Sequence, residues 1–357
     1  VNFDLDDEQR DLAAAARDFL ASKASPADAR AALDADPPGS GVLAPGRDDL
    51  VASGFATITV PESAGGGGGS LLDLAVVAEQ AGRVLAGPSL VTFARAAVLL
   101  AGDETRLAAL VDGSLRLAVV DGSGPVLDAA GADTFLALRG DDVVIGGGDV
   151  VVRPAIDPTR GLGQVTLGDD AEVVAADARD LWEHAERVGR IVLAAEDLGA
   201  ASRALEMGVA YTKERHAFGR PIGSYQAVKH ALVDAYVQVE QLRSLVWWAA
   251  WAADQAPDEL PMAAAAAKAA SATTLEQAAE TLIQVHGGIG FTWEHDAHLY
   301  WRRAKVDRLL LGDDVAAHDE VARLALAAAS SPGPSEVGLE PAVEAGSPTA
   351  VETVGAR

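Results

Sequence analysis

From residue 227 onward the apolar side chains Val228, Leu232, Ala235, Val239, Leu242, Val246, Ala249 and Ala253 follow one another at alternating steps of four and three. A run of this kind keeps one stripe of a helix against a neighbour along its whole length. It predicts a long helix in an antiparallel bundle and excludes a strand there. A second, Ala-rich helix is predicted over 260–285, with Pro261 in its first turn and Gly287 and Gly288 as its stop. Two more are predicted over 298–311 and 315–328. Residues 179–329 therefore read as an antiparallel four-helix bundle.

Upstream the pattern differs. Residues 1–114 read as a helical domain. Asp6 or Asp7 caps a helix whose apolar face carries Leu12, Ala15, Phe19 and Leu20. A second helix follows Ser70 and a third covers about 89–100. Between the first two lie five glycines, Gly65 to Gly69, read either as a floppy loop or as backbone approaching a ligand. In residues 115–178 short Val- and Leu-rich runs alternate with Gly and Asp, at 115–120, 134–138, 142–145, 149–152, 163–167 and 172–174. That is a small, reduced antiparallel β-domain. Residues 330–357, rich in Pro, Gly and Glu, read as a disordered tail. Strands segregated between two helical parts define an α+β fold, mostly α.

Composition narrows function by exclusion. Cys is absent, so disulfide scaffolds, thiolate nucleophiles and iron–sulfur clusters are ruled out. Asp and Glu number 53 against 28 Lys and Arg, a net charge of −25, which repels phosphate backbones and anionic membranes. The acidic start has no secretory-signal pattern, and no apolar run reaches the length of a membrane helix. The expectation is a cytoplasmic protein that neither binds nucleic acid nor inserts into a membrane. Glu294, His295 and His298 are too few for a metal site, and none is assigned.

Two segments stand out against this background. In the first, Arg215, His216 and Arg220 gather positive charge around Phe218-Gly219, where a helix ends and Ser224 is placed to cap the next. In the second, Gln284 precedes Gly287-Gly288-Ile289-Gly290, where a helix end exposes backbone. This is no dinucleotide fingerprint, because no strand precedes it.

Together these segments resemble the acyl-CoA dehydrogenase family. Its C-terminal part carries Arg-x-x-Phe-Gly-x-x-(Ile/Leu)-x-x-x-Gln and, one helix later, Gln-x-x-Gly-Gly-x-Gly-(Phe/Tyr). Arg215, Phe218, Gly219, Ile222 and Gln226 match the first, and Gln284, Gly287, Gly288, Gly290 and Phe291 the second. Tyr300-Trp301-Arg302-Arg303-Ala304-Lys305-Val306 matches the next helix, and the resemblance spans about residues 3–325. It implies a helical domain, a β-domain and a four-helix bundle, with FAD extended across a subunit interface. By the same resemblance Arg215 pairs with the pyrophosphate, Phe218 packs near the adenine and Gln226 bonds within the cofactor site. Gln284, Gly287 and Gly288 would reach FAD held mainly by a neighbouring subunit. The implied reaction is α,β-dehydrogenation of an acyl-CoA thioester, with a carboxylate taking the α-proton and electron-transfer flavoprotein as acceptor.

The sequence departs from the family at the base. Leu311 stands at the commonest base position, and Gly189, before Arg190, at the alternative. Glu196 lies seven residues beyond Gly189 on the same helix face, about 10 Å along. The family's flavin-contacting loop in the β-domain has no match, and Asp121-Gly122-Ser123-Gly124-Pro125 is a slight substitute. Lost base and loop beside kept interface motifs resemble the base-lacking subunit of heteromeric (α2β2) bacterial acyl-CoA dehydrogenases, some acting on steroid side chains or other bulky acyl groups. A full-length partner subunit would then supply the base. The alternatives are a self-sufficient, self-associating enzyme with an unplaced base, and a flavin-free interaction scaffold. Trp247, Trp248, Trp251 and the Ala-rich face of 262–272 are expected to form the partner interface.

Overall fold

The computed structural model describes residues 4–330 apart from 37, 40–42 and 88. The tail expected beyond 330 lies outside the described residues. Six helices come first: α1 (Asp7–Lys23), α2 (Pro26–Asp34), α3 (Arg47–Ala52), α4 (Leu71–Arg83), α5 (Leu90–Leu99) and α6 (Glu104–Val111). Asp6, Ser70 and Ser89 accept backbone N–H bonds at the starts of α1, α4 and α5. The buried residues of α1 are Ala16 and Leu20, whereas Ala15 faces solvent. The short α2, α3 and α6 carry too few residues for a periodic signal and were not foreseen.

The glycine run is neither floppy nor free to meet a ligand. Gly66, Gly67, Gly68 and Gly69 each donate a backbone N–H to a carbonyl between Thr57 and Pro61. A Cβ on Gly66 would lie 2.2 Å from the Val60 carbonyl oxygen, so the run is glycine because it packs backbone on backbone.

Five strands follow: β1 (Leu117–Val120), β2 (Thr134–Arg139), β3 (Asp142–Val152), β4 (Gly163–Leu167) and β5 (Glu172–Ala175). The two runs expected at 142–145 and 149–152 are one strand. Its first half pairs with β2 and β5 and its second half with β4. The sheet is also not purely antiparallel, since β1 runs parallel to β2 in the register Leu117↔Thr134. A parallel neighbour cannot be reached by a tight hairpin; the chain must cross over. That crossover, residues 121–133, runs beside the cleft described below.

The last part begins with α7 (Arg179–Glu214), 36 residues and roughly 54 Å long at 1.5 Å per residue. The two-residue strands β6 (His216–Ala217) and β7 (Arg220–Pro221) follow, then α8 (Gln226–Gln255), α9 (Leu260–His286), α10 (Ala297–Asp307) and α11 (Asp314–Ser330). The predicted seam of α8 faces inward, with Leu232, Ala235, Val239, Leu242, Val246 and Ala249 buried. Asp313 accepts the Ala316 N–H and caps α11. Ser224 does not cap α8; its hydroxyl bonds the Pro221 carbonyl within a one-turn 3₁₀ segment.

The expected partner face is largely internal. Ala263, Ala264, Ala265, Ala267 and Ala272 of α9 are buried, and α9 packs chiefly along α7. Trp247 is buried, and Trp248 donates its indole N–H to Glu259 at 2.7 Å. The apolar side chains left exposed on α8 are Val233, Tyr236 and Val237 instead. α4 crosses α7 where Gly82 meets Glu196 and Gly199 meets Glu79. A Cβ at either glycine would fall within 1.8 Å of a carbonyl oxygen, so this crossing tolerates no side chain. Among the described residues no helix is long and apolar enough to cross a membrane.

Candidate active site and cofactor surface

The two sequence motifs meet in space. Tyr211, in the last turn of α7, stacks on His286, the last residue of α9, with ring centroids 3.9 Å apart and 25° between planes. His295 lies against the other ring at 4.3 Å. Of the three, only His295 was weighed from the sequence, in a metal cluster that was not assigned. An aromatic pair joining two helix ends carries no local pattern. The stack sets Arg215 and Gly287 on neighbouring chain ends.

Phe218 and Gly219 form the two-residue turn of the β6–β7 hairpin, with φ of 53° and 80°. Positive φ at both central residues is the type I′ arrangement that matches strand twist, and it normally calls for Asn or Gly. Phe218 adopts it while 97% exposed, so no packing within the chain repays the strain. Around the turn, Tyr225 donates its hydroxyl to the Ala217 carbonyl at 2.9 Å and carries the Arg220 guanidinium on its ring at 4.0 Å. The Arg215 backbone is fixed by bonds to Tyr211 and Ile222, while its exposed side chain has no ion pair among the described residues. Gln226 and Gln284 are exposed, and nothing lies within 4 Å of a Cβ built on Gly287 or Gly288. Gly290 differs: its Cβ would meet the Ile283 carbonyl at 2.9 Å, so it belongs to the turn itself.

A second constellation sits about the first half of α7. A cleft of about 700 Å³ opens between α5, β1, the 121–125 crossover, α7 and the end of α10. Its wall is mostly apolar, including Val91, Val119, Leu127, Leu138, Trp182 and Leu309. Arg95 of α5 lines it with a buried guanidinium, bonded to both Asp121 oxygens at 2.6 and 2.7 Å and lying 5.4 Å from the centre of the Trp182 ring. Gly189 and Leu311 converge at this wall. A Cβ on Gly189 would lie 2.7 Å from Arg95 Cδ and 3.0 Å from Leu311 Cδ1. Both positions at which a carboxylate was sought are thus neighbours, and neither has one. Arg190 ties them together, donating Nε–H to the Leu311 carbonyl at 3.0 Å and pairing with Glu186 at 2.7 Å and Glu320 at 2.6 Å. The crossover judged slight in the sequence does reach this cleft, through Asp121, Gly122, Gly124 and Pro125. Glu186 is the cleft carboxylate that sequence reasoning missed, and Asp121 entered it only as part of the 121–125 segment.

Glu196 faces elsewhere. It is buried, accepts from Ser89 Oγ at 2.9 Å and from the Leu90 N–H at 3.0 Å, and pairs with Arg160. Arg160, wholly buried, also pairs with Asp307, while Arg303 bonds Asp157 at 2.6 Å and the Leu85 carbonyl at 3.1 Å. This network joins the loop before β4 to α5, α7 and α10. A carboxylate held by a guanidinium and two further donors is poorly suited to take a proton from a substrate. Nearby, burial pushes the Asp128 carboxyl up to about 6, against bonds from Thr92 and from the Ser89 N–H.

A helical front, a small sheet and a bundle of long helices around one cleft define an acyl-CoA dehydrogenase fold. Residues 6–105 match the acyl-CoA dehydrogenase N-terminal domain and residues 184–329 the C-terminal domain. The chain belongs to the acyl-CoA dehydrogenase family, oxidoreductases acting on acyl-CoA. It is 36% identical over 268 residues to acyl-CoA dehydrogenase IpdE2 of Mycolicibacterium smegmatis, covering 72% of this chain and 80% of that protein. Among solved structures, the Tcur3481-Tcur3483 steroid ACAD G363A variant superposes with a TM-score of 0.79 at 28% identity, covering 91% of this chain and 99% of the other. The ChsE4-ChsE5 complex from Mycobacterium tuberculosis gives a TM-score of 0.78 at 23% identity over 93% and 100% of the two chains, which bears on fold alone.

Proposed function

We propose that this chain is the base-lacking subunit of a heteromeric (α2β2) acyl-CoA dehydrogenase that removes hydrogen across Cα–Cβ of a bulky acyl-CoA, a steroid side-chain thioester among the candidates. The observation that carries the reading is the convergence of Gly189 and Leu311 on one wall, neither of them carrying a carboxylate, with Arg95 passing over the space. The name of one similar structure, the Tcur3481-Tcur3483 steroid ACAD, supports a two-chain assembly.

The exposed surface fits FAD. Arg215 offers an unpaired guanidinium that forks onto a pyrophosphate, and the open backbone at Gly287 and Gly288 leaves room for it. Phe218, strained and unsupported within the chain, packs on a neighbouring surface or cofactor. Gln226 and Gln284 add hydrogen bonds there. When bound, FAD accepts the hydride leaving the β-carbon and passes electrons to electron-transfer flavoprotein. This chain's residues orient and cover the cofactor; the partner's carboxylate takes the α-proton. Val233, Tyr236 and Val237 supply an apolar contact for the partner.

Co-expression with a full-length relative tests this. The two chains should co-purify with FAD and turn over acyl-CoA, and either chain alone should not. A second reading, a self-sufficient enzyme, rests on Glu186, whose carboxylate lines the cleft one helical turn before Gly189. A yellow, active protein made from this chain alone, silenced by Glu186→Gln, would establish it instead.

A further inference from the structure

The cleft of the base-lacking subunit is open and apolar, yet one ion pair is set into its wall. At about 700 Å³ it falls within the roughly 300–1,000 Å³ of pockets that enclose compact organic ligands. Stability does not account for the Arg95–Asp121 pair. Taking a guanidinium out of water is costly, and hydrophobic replacements for buried pairs are often neutral or stabilising. Recognition does account for it. The guanidinium has five N–H donors and spends two on Asp121. Asp121 remains 43% exposed, with acceptor sites to spare. Donor and acceptor therefore stand side by side at an apolar wall, which suits a single hydroxyl or keto oxygen.

Charge selects further. Arg95 and Asp121 cancel each other, Glu186 is paired with Arg190, and Lys305 is paired with Glu276. Among the described residues lining the cleft no unpaired charge is left for an ionic ligand group, and burying one unpaired is costly. The position that lost its side chain is part of the same device. A Cβ on Gly189 would lie 2.7 Å from Arg95 Cδ and 3.0 Å from Arg95 Cγ, so glycine at 189 leaves room for the Arg95 side chain on its way to Asp121.

We propose that this cleft is a recognition site for an uncharged, bulky ring system with a hydroxyl or keto oxygen at the end that meets Arg95 and Asp121, held there without being converted. The inference rests on the base-lacking reading above. It is tested on the co-purified complex with a photoreactive diazirine analogue of androsterone, by mapping labelled peptides on each chain. Androsterone should protect peptides of this chain bearing cleft residues near 119–127 and 182–186. The same ring system without oxygens, 5α-androstane, should protect about tenfold less well. Asp121→Asn should weaken protection by androsterone about tenfold, and Leu127→Trp, which fills the cleft, should abolish it. Thermal melting of each variant verifies its fold, and the androstane comparison needs no variant. Labelling confined to the partner, equal protection by androstane, or indifference to both substitutions would overturn the proposal. FAD content and turnover are read on the same samples. Absent labelling in an active flavin-loaded complex sinks this inference alone, whereas turnover by the lone chain sinks the base-lacking reading.

Discussion

Arg160 and Arg215 belong to opposite regimes of one molecule. Arg160 is fully buried at the junction of sheet and bundle and spends its donors on Glu196 and Asp307. Arg215 stands exposed at the C-terminal end of α7 without an ion pair among the described residues. The contrast extends to their neighbours. Around Arg160, Ser89, Asp157, Thr159 and Arg303 are all hydrogen-bonded. Around Arg215, Phe218 is strained and exposed, and Gly287 and Gly288 face open space. The first region, apart from the buried Asp197 carboxylate, finds its partners within the chain and holds its three parts together. The second leaves a strained turn, an exposed guanidinium without an ion pair and open backbone among the described residues.

The largest expected effect tests whether the cleft is likewise incomplete. Turnover of an acyl-CoA by the lone chain should fall at least 10²–10⁴-fold below that of the assembled complex, the usual cost of a missing general base. Steady-state assays on both preparations decide it. Gly189→Glu should not restore activity, because Arg95 occupies the space its side chain needs.

Next comes the closed region. Arg160→Met leaves Glu196 buried without its cation and Asp307 with only the longer 4.0 Å pair to Arg303, and should cost about 3–5 kcal/mol in denaturant unfolding. Arg215→Ala should leave the unfolding midpoint unchanged, and equal losses from the two would erase the distinction between the regions.

A pH effect belongs to the closed region as well. The Asp128 carboxyl, ordinarily near 3.8, is raised to about 6 in the folded chain, so folding there takes up a proton. Its stabilising contribution is full below about pH 4 and lost as pH rises through about 6, on the order of 3 kcal/mol in all. His184, His295 and His298, held below the usual imidazole range mainly by burial, push stability upward over the same window, so the readout is the difference: the parent chain should lose stability with rising pH relative to Asp128→Asn.

In the open region, Arg215→Ala should weaken FAD retention by the complex about tenfold or more, the value of a charge-assisted bond to phosphate. His295 is a poor control for that titration, since its ring packs on His286 beside Gly287; His184 on α7 is a better one. The smallest effect is expected at Phe218. Phe218→Asn suits the positive φ and should stabilise the lone chain by about 1 kcal/mol or less, while weakening assembly. A lone chain destabilised by that change would mean that Phe218 packs within the chain after all.

The long helices were legible because their signal is local and repeated. The steps from Val228 to Ala253 place every seam residue on one stripe whatever the rest of the chain does. Ser70 and Ser89 as caps, Gly287 as a stop and the four long segments after 179 follow from the same short-range rules. Arg215, Phe218, Gln226, Gln284, Gly287 and Gly288 stood out through their match to the family's two motifs, and the Tyr211–His286 stack brings the two motif segments together. The absence of a carboxylate at Gly189 and Leu311 was equally plain in the residues themselves.

What pairs with what was settled only in three dimensions. The parallel pairing of β1 with β2 depends on where 121–133 passes, and no alternation of apolar residues encodes strand direction. The Ala-rich face of α9 looked like an outer interface because small residues invite close approach, but the helix they admit is α7 of the same chain. Glu196 shares a helical stripe with Gly189, yet its carboxylate faces Arg160, 36 residues before it. Arg95, Asp121, Gly189 and Leu311 are scattered over more than two hundred positions and meet at one wall. Sequence fixes conformation where the forces act between near neighbours along the chain. Side chains brought together by long-range packing acquire their partners, and so their chemistry, only when the chain closes on itself.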